Sequence, residues 1–83
     1  MARIIFFGSL GDHVEEPELD FALGGNTQTA REVFDEISAS YPGLANAEKT
    51  TPIKVALNQK MVDWDVTISD KDELAFLPPV TGG

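Results

Sequence analysis

The C-terminal stretch Leu74-Ala75-Phe76-Leu77-Pro78-Pro79-Val80-Thr81-Gly82-Gly83 carries the group in this sequence best suited to chemistry, a carboxylate at the tip of a diglycine. Gly82 and Gly83 would let the backbone thread a channel too narrow for side chains and present its end to another protein's active site, because glycine has no Cβ and accepts conformations that other residues resist. A carboxylate is a poor acyl donor, since its oxygen is a poor leaving group. Joined to AMP it becomes a mixed anhydride, from which a sulfur nucleophile can displace the AMP. The product would be a terminal thiocarboxylate, a sulfur nucleophile made without any cysteine in this chain. A second protein would have to supply the ATP site and stabilise the acyl transfer electrostatically. This chain would be its substrate.

The rest of the sequence offers no competing machinery. There is no cysteine, which removes thiolate nucleophiles, disulfides, thiolate zinc sites and iron–sulfur ligation. His13, the single histidine, reads as a plain loop residue rather than a proton shuttle or metal ligand, because the nearby carboxylates lack ligand spacing. Gly8-Ser9-Leu10-Gly11 lacks the Lys-Ser/Thr that completes a phosphate loop. Asp70-Lys71-Asp72-Glu73 resembles half a calcium loop without its central Gly and distant Glu, and no metal site is expected. Asp12, Glu15, Glu16, Glu18 and Asp20 read as a solvated face or as a patch for a basic partner.

Composition narrows the partners. With 83 residues the chain is one domain of modest core, and its 14 acidic against 6 basic residues give a net charge of −8. Nucleic acid and anionic membrane surfaces would repel it. The apolar run formed by Ile4, Ile5, Phe6 and Phe7 is too short for a signal peptide or a membrane span, and the cytosol is the expected compartment.

The elements that must hold the C-terminal stretch follow from periodicity. Arg3 to Ser9 is predicted as a first strand of β-branched and aromatic residues. Its apolar positions do not alternate, so both faces should be covered, by this chain or by a partner. Gly8 to Pro17 reads as a loop. Leu19, Phe21 and Leu23 alternate as a half-buried second strand, ended by Gly24-Gly25-Asn26 and forming a long-looped hairpin with the first. Thr29 and Glu32 fit a capping box, and Ala30, Val33, Phe34, Ile37 and Tyr41 form one apolar helical stripe that Pro42 should close. Leu44 to Pro52 reads as a connection with at most a helical turn. Ile53, Val55 and Leu57 form a third strand, Asn58-Gln59-Lys60 a turn, and Met61-Val62 a short return, with Val66 and Ile68 plugging the core. Leu74 to Leu77 is the final strand, stopped by Pro78 and Pro79, which have no N–H for a sheet ladder. The helix stripe must be buried on one face of a single mixed sheet, with the first and last strands central and adjacent. That is an α+β fold of the β-grasp type, with residues 1–77 as the domain and 78–83 as a flexible tail leaving from the middle strand.

Successive side chains of a strand point to opposite faces. If Ile4, Phe6, Leu74 and Phe76 face the helix, Phe7 and Leu77 lie together on the other side. Either a partner covers them, with Met61 as an adaptable apolar contact, or the loop around Trp64 folds over them.

Phe76-Leu77-Pro78-Pro79-Val80-Thr81-Gly82-Gly83, with Asp72-Glu73 before it, resembles the C-terminal signature of the small subunit of molybdopterin synthase. Arg3-Ile4-Ile5-Phe6-Phe7 is similar to that family's first strand and Val55-Ala56-Leu57-Asn58-Gln59 to its third, so the resemblance covers nearly the whole chain. It departs at Gly11-Asp12-His13-Val14, where family members often carry Arg-Glu-Leu. The resemblance implies a ubiquitin-like β-grasp fold and a sulfur carrier of molybdenum cofactor biosynthesis with no catalytic machinery of its own. An E1-like enzyme would adenylate Gly83, which then becomes a thiocarboxylate. The large synthase subunit would take in the tail Pro78, Pro79, Val80, Thr81 and Gly82, and sulfur would pass to cyclic pyranopterin monophosphate. It also implies a partner-binding patch at Phe7, Met61 and Leu77. No cofactor is expected on the chain itself, ATP and the sulfur donor being used by its partners. A sulfur carrier for thiamine biosynthesis, a ubiquitin-like modifier of lysines, and a β-grasp binding module with an inert end remain as alternatives.

Overall fold

A computed structural model describes residues 1–79, and the expectations for Val80, Thr81, Gly82 and Gly83 lie outside the described residues. Five strands form the main sheet in the order β2 (Glu18–Phe21), β1 (Ala2–Phe6), β7 (Glu73–Leu77), β4 (Lys54–Leu57), β5 (Lys60–Val62). β1 and β7 run parallel side by side, and the other neighbours are antiparallel. β7 is thus the central strand, as the apolar character of its residues requires. Two short strands missed in the sequence, β3 (Gln28–Thr29) and β6 (Thr67–Ile68), pair separately.

One sheet face is covered by α1 (Ala30–Ser38), which buries Ala30, Val33, Phe34 and Ile37. The capping box forms as read. The Glu32 N–H donates to Thr29 Oγ1 at 3.1 Å, and the Thr29 N–H donates to Glu32 Oε1 at 2.8 Å, satisfying donors that the helix start leaves unpaired. The covered face carries an aromatic cluster. Phe76 stacks on Phe6 with ring centroids 5.4 Å apart and meets the edge of Phe34 at 5.1 Å. Trp64 belongs to this side too. It lies against Phe34 and Phe76 at 5.3 and 5.5 Å, and its indole N–H donates to the Ile53 carbonyl at 3.3 Å.

Four expectations need correction. Pro42 does not simply close the first helix. α1 ends at Ser38, and Pro42 opens a second helix, α2 (Pro42–Thr50), where its missing N–H costs nothing because first-turn donors have no helical partner. The connection expected from Leu44 to Pro52 is therefore mostly helical, anchored by fully buried Leu44. Arg31 of α1 ties the two helices, pairing with Glu48 of α2 through both guanidinium nitrogens while its head lies 4.1 Å from the Trp64 ring centre. The stretch from Gly8, expected as open loop, begins with a 3-10 helix (Gly8–His13) that buries Leu10. β1 accordingly runs Ala2–Phe6 rather than Arg3 to Ser9, because the 3-10 helix takes over at Gly8.

The turn leading into β7 is held by Asp72. Its carboxylate accepts from the Ser69 N–H at 2.8 Å, the Asn58 amide at 3.1 Å and the Ser69 hydroxyl at 3.2 Å. The Ser69 backbone donor first, and then Asn58, hold this carboxyl below the value of 3.8 it has in a free chain. A carboxylate with a depressed folded pKa stabilises the fold above its unfolded pKa, and that contribution is lost as pH falls through the lower folded value. Asp72→Ala is expected to cost about 1 kcal/mol at neutral pH, seen as a lower urea midpoint at unchanged slope. The gap from the parent should narrow as pH falls from 3.8, where the unfolded chain begins to take up the proton, through the lower folded value, where the folded carboxylate does too.

Candidate functional site

The face of the sheet opposite α1 has no helix on it among the described residues, and there the alternation of strand side chains builds a groove. Ile5 of β1, Ala75 of β7, Ala56 of β4 and Met61 of β5 are consecutive cross-strand partners. They form one row across four strands. The two central alanines, 7% and 6% exposed, make a low floor. Phe7 and Leu77 close one end, and Gln59 and Glu73 the other, around a volume of about 410 Å³. Phe7 and Met61 remain 46% and 62% exposed. Large apolar side chains left in contact with water on a concave surface mark an interaction site more than a core.

The structure therefore brings together Phe7, Met61 and Leu77, which lie in separate segments of the chain. Trp64, which could have covered them, is on the helix side of the sheet. The second face of β1 is thus not covered from within the described chain. Ile5, Ala56, Ala75, Gln59 and Glu73 also line the groove and were not singled out from sequence. Their contribution depends on strand register, for which a single sequence carries little signal, although alternation from Phe7 and Leu77 points back to Ile5 and Ala75.

The groove adjoins the start of the C-terminal segment at Leu77. Leu77 is the last residue of β7 and a wall of the groove, and Pro78 and Pro79 follow half-buried. Pro78 is held from the side by Gly8, whose φ of +57° lets β1 turn sharply into the 3-10 helix; a Cβ there would meet Pro78 Cγ at 3.1 Å. Backbone pairing continues to the same point, the Phe7 N–H donating to the Phe76 carbonyl at 2.9 Å.

The electrostatic setting is acidic. Arg3 is engaged by Glu18 at 2.9 Å, with both side chains more than half exposed, a pair worth little to stability. Asp12, Glu15, Glu16, Glu18 and Asp20 are all exposed. His13 packs its ring against Gly43 at the start of α2, so closely that a Cβ on Gly43 would lie 2.6 Å from Nδ1. Its place is explained by packing. Among the described residues there is no group of three or more His, Asp or Glu arranged to hold a metal ion, and no helix long and apolar enough to cross a membrane.

Comparison with known proteins agrees with this architecture. Residues 4–83 match the ThiS family. The chain is 30% identical over 83 residues to the molybdopterin synthase sulfur carrier subunit of Escherichia coli, with 100% of each chain covered. It is 31% identical over 87 residues to that of Haemophilus influenzae, again over 100% of each. Among solved structures it resembles SAMP1 from Haloferax volcanii, with a TM-score of 0.75, 21% identity, and 99% and 98% of the two chains covered. It also resembles a chain in the complex of subunits 1 and 2 of the molybdopterin-converting factor from Helicobacter pylori, with a TM-score of 0.67, 24% identity, and 99% and 97% covered. These structural likenesses establish the β-grasp fold; the sequence matches, which run the full length of the chain, establish the family. The chain belongs to the ThiS family, the ubiquitin-like sulfur carriers that include the small subunit of molybdopterin synthase.

Proposed function

We propose that this protein carries sulfur on its C-terminus for the synthesis of molybdopterin, as the small subunit of the synthase. The observation that carries the reading is the double position of Leu77, a wall of the open apolar groove and the root of the segment ending in Gly82-Gly83. A partner docked on the groove is thereby also the partner that receives the terminus. The full-length relatives, sulfur carrier subunits of molybdopterin synthase, support the same role. The Helicobacter pylori neighbour, found in a complex of subunits 1 and 2, supports a second subunit as the partner.

In this reading an E1-like enzyme joins the Gly83 carboxylate to AMP, releasing pyrophosphate from ATP. A sulfur donor displaces AMP and leaves a thiocarboxylate. In the large subunit the sulfur passes to cyclic pyranopterin monophosphate, and an oxygen from water restores the carboxylate. ATP and the sulfur donor belong to the partners; this chain contributes the acyl terminus and the docking face. A cytosolic setting suits a reaction that consumes ATP. Pro78 and Pro79 stiffen the exit from the sheet, because proline fixes φ, while Val80, Thr81 and Gly82 enter the partner.

The deciding experiment is intact mass measured after incubation with ATP, the activating enzyme and a sulfur source. The increase for exchange of one oxygen for sulfur at Gly83 is the expected result. An unchanged mass would identify a binding module with an inert end. Adding the large subunit and the pterin precursor should then discharge the sulfur, whereas discharge only in a thiazole-forming system would assign the chain to thiamine synthesis, and attachment to lysines would make it a modifier.

The docking face has its own test. Leu77→Arg sets an unpaired charge into the groove without touching the cluster of Phe6, Phe34 and Phe76 on the other side of the sheet. The expected loss is at least ~2 kcal/mol of binding, as for other central interface residues, or roughly a thirtyfold weaker complex, at nearly unchanged stability. Calorimetry against the large subunit and the activating enzyme measures it. Unchanged affinity for both, or collapse of the free protein, would put Leu77 in the core and not at an interface.

A further inference from the structure

Gln59 holds a strained backbone conformation beside the open groove. β4 and β5 are joined by the two-residue turn Asn58-Gln59 between the paired residues Leu57 and Lys60, with φ of 50° and 72°. A turn of this hand matches the twist of the strands it joins, and it strongly favours Asn followed by Gly. Asn58 suits its place. Its N–H donates to the Glu73 carbonyl at 2.8 Å, its amide donates to Asp72 at 3.1 Å, and its side-chain oxygen accepts from the Glu73 N–H at 2.9 Å. These bonds pin the turn to the start of β7.

Gln59 gains nothing comparable. A side chain at this φ is strained against its own backbone, and its carboxamide makes no hydrogen bond to any described residue. Glycine would satisfy the turn better. What Gln59 does have is position. Its side chain lines the open groove, at the end where Glu73 supplies the other polar lining group, with Met61 and Ala56 beside it.

Resting on the docking function proposed above, we infer that Gln59 is a specificity contact for the protein that seats on this groove, its carboxamide hydrogen-bonding to a polar group at the edge of the partner's apolar insertion. An apolar groove alone discriminates weakly among apolar partners. A donor and an acceptor at its rim reject a partner that would leave them desolvated and unpaired. The chain keeps a strained side chain at the turn because the complex, and not the free fold, uses it. Stability and binding therefore pull in opposite directions at this residue.

The test uses the full-length chain and the large subunit of molybdopterin synthase as the binding probe, with Leu77→Arg as a control. Gln59→Gly is expected to raise the melting temperature of the free protein by about 4 °C, as relief of the turn strain would in a domain of this size, and to weaken the complex about tenfold. Gln59→Ala, which removes the carboxamide and keeps the strain, should lose the same affinity without the gain in melting temperature. A lower melting temperature for Gln59→Gly would show that the side chain serves the fold, and would overturn the inference. So would parental affinity in both Gln59 variants while Leu77→Arg weakens binding, an outcome that leaves the docking function standing. If Leu77→Arg also binds as the parent does, the docking function itself is wrong.

Discussion

Deleting Gly83, or extending the chain beyond it with residues that are not trimmed, should abolish sulfur transfer and leave the melting temperature nearly unchanged. The two halves of this expectation come from different parts of the molecule. The described core closes without the terminus, since its buried side chains run from Ala2 to Phe76 and the sheet ends at Leu77. The proposed chemistry, by contrast, lies wholly at the terminus. The chain holds no cysteine, and His13 is engaged in packing. Blocking the terminal carboxylate therefore removes the one acyl group the proposed reaction uses. Single-turnover transfer with intact-mass detection measures the first half, and thermal unfolding the second. Full transfer by an extended, untrimmed chain would sink the carrier reading.

Gly82→Val is the sharper test, because it keeps the carboxylate and alters only its approach. Valine adds a β-branched side chain with few rotamers one residue before the reacting group. If the partner's channel admits backbone alone, Gly83 cannot reach its place, and misplacement of a reacting atom by about 1 Å costs on the order of a hundredfold in rate. Adenylation or transfer should fall by at least that much, with stability and docking through Phe7, Met61 and Leu77 retained. Binding of the variant at parental affinity alongside the loss of turnover would separate threading from docking. Adenylation and sulfuration at parental rates would show that the terminus is not threaded through a narrow channel.

The sequence by itself was sufficient wherever structure is decided within a few residues. Thr29 and Glu32 announce the start of α1, and the stripe of Ala30, Val33, Phe34 and Ile37 fixes the buried side, because helix periodicity and capping are local. Alternation alone requires Phe6 and Phe7, and likewise Phe76 and Leu77, to point to opposite faces. The Gly82-Gly83 pair, and the absence of cysteine, can also be read without coordinates. Tertiary structure decided what depends on distant partners. Pro42 can end one helix or begin another, since the same fixed φ serves both; burial of Leu44 and the pairing of Glu48 with Arg31 select the second. Trp64 had two faces of the sheet open to it, and the Phe34 and Phe76 rings with the Ile53 carbonyl hold it on the helix side, which leaves Phe7 and Leu77 uncovered. The groove floor exists because Ala56 pairs with Ala75, and the strain at Gln59 because Leu57 pairs with Lys60. Neither register is local. Each is set by the whole sheet satisfying its hydrogen bonds and burying one face at once, which no short window of residues contains.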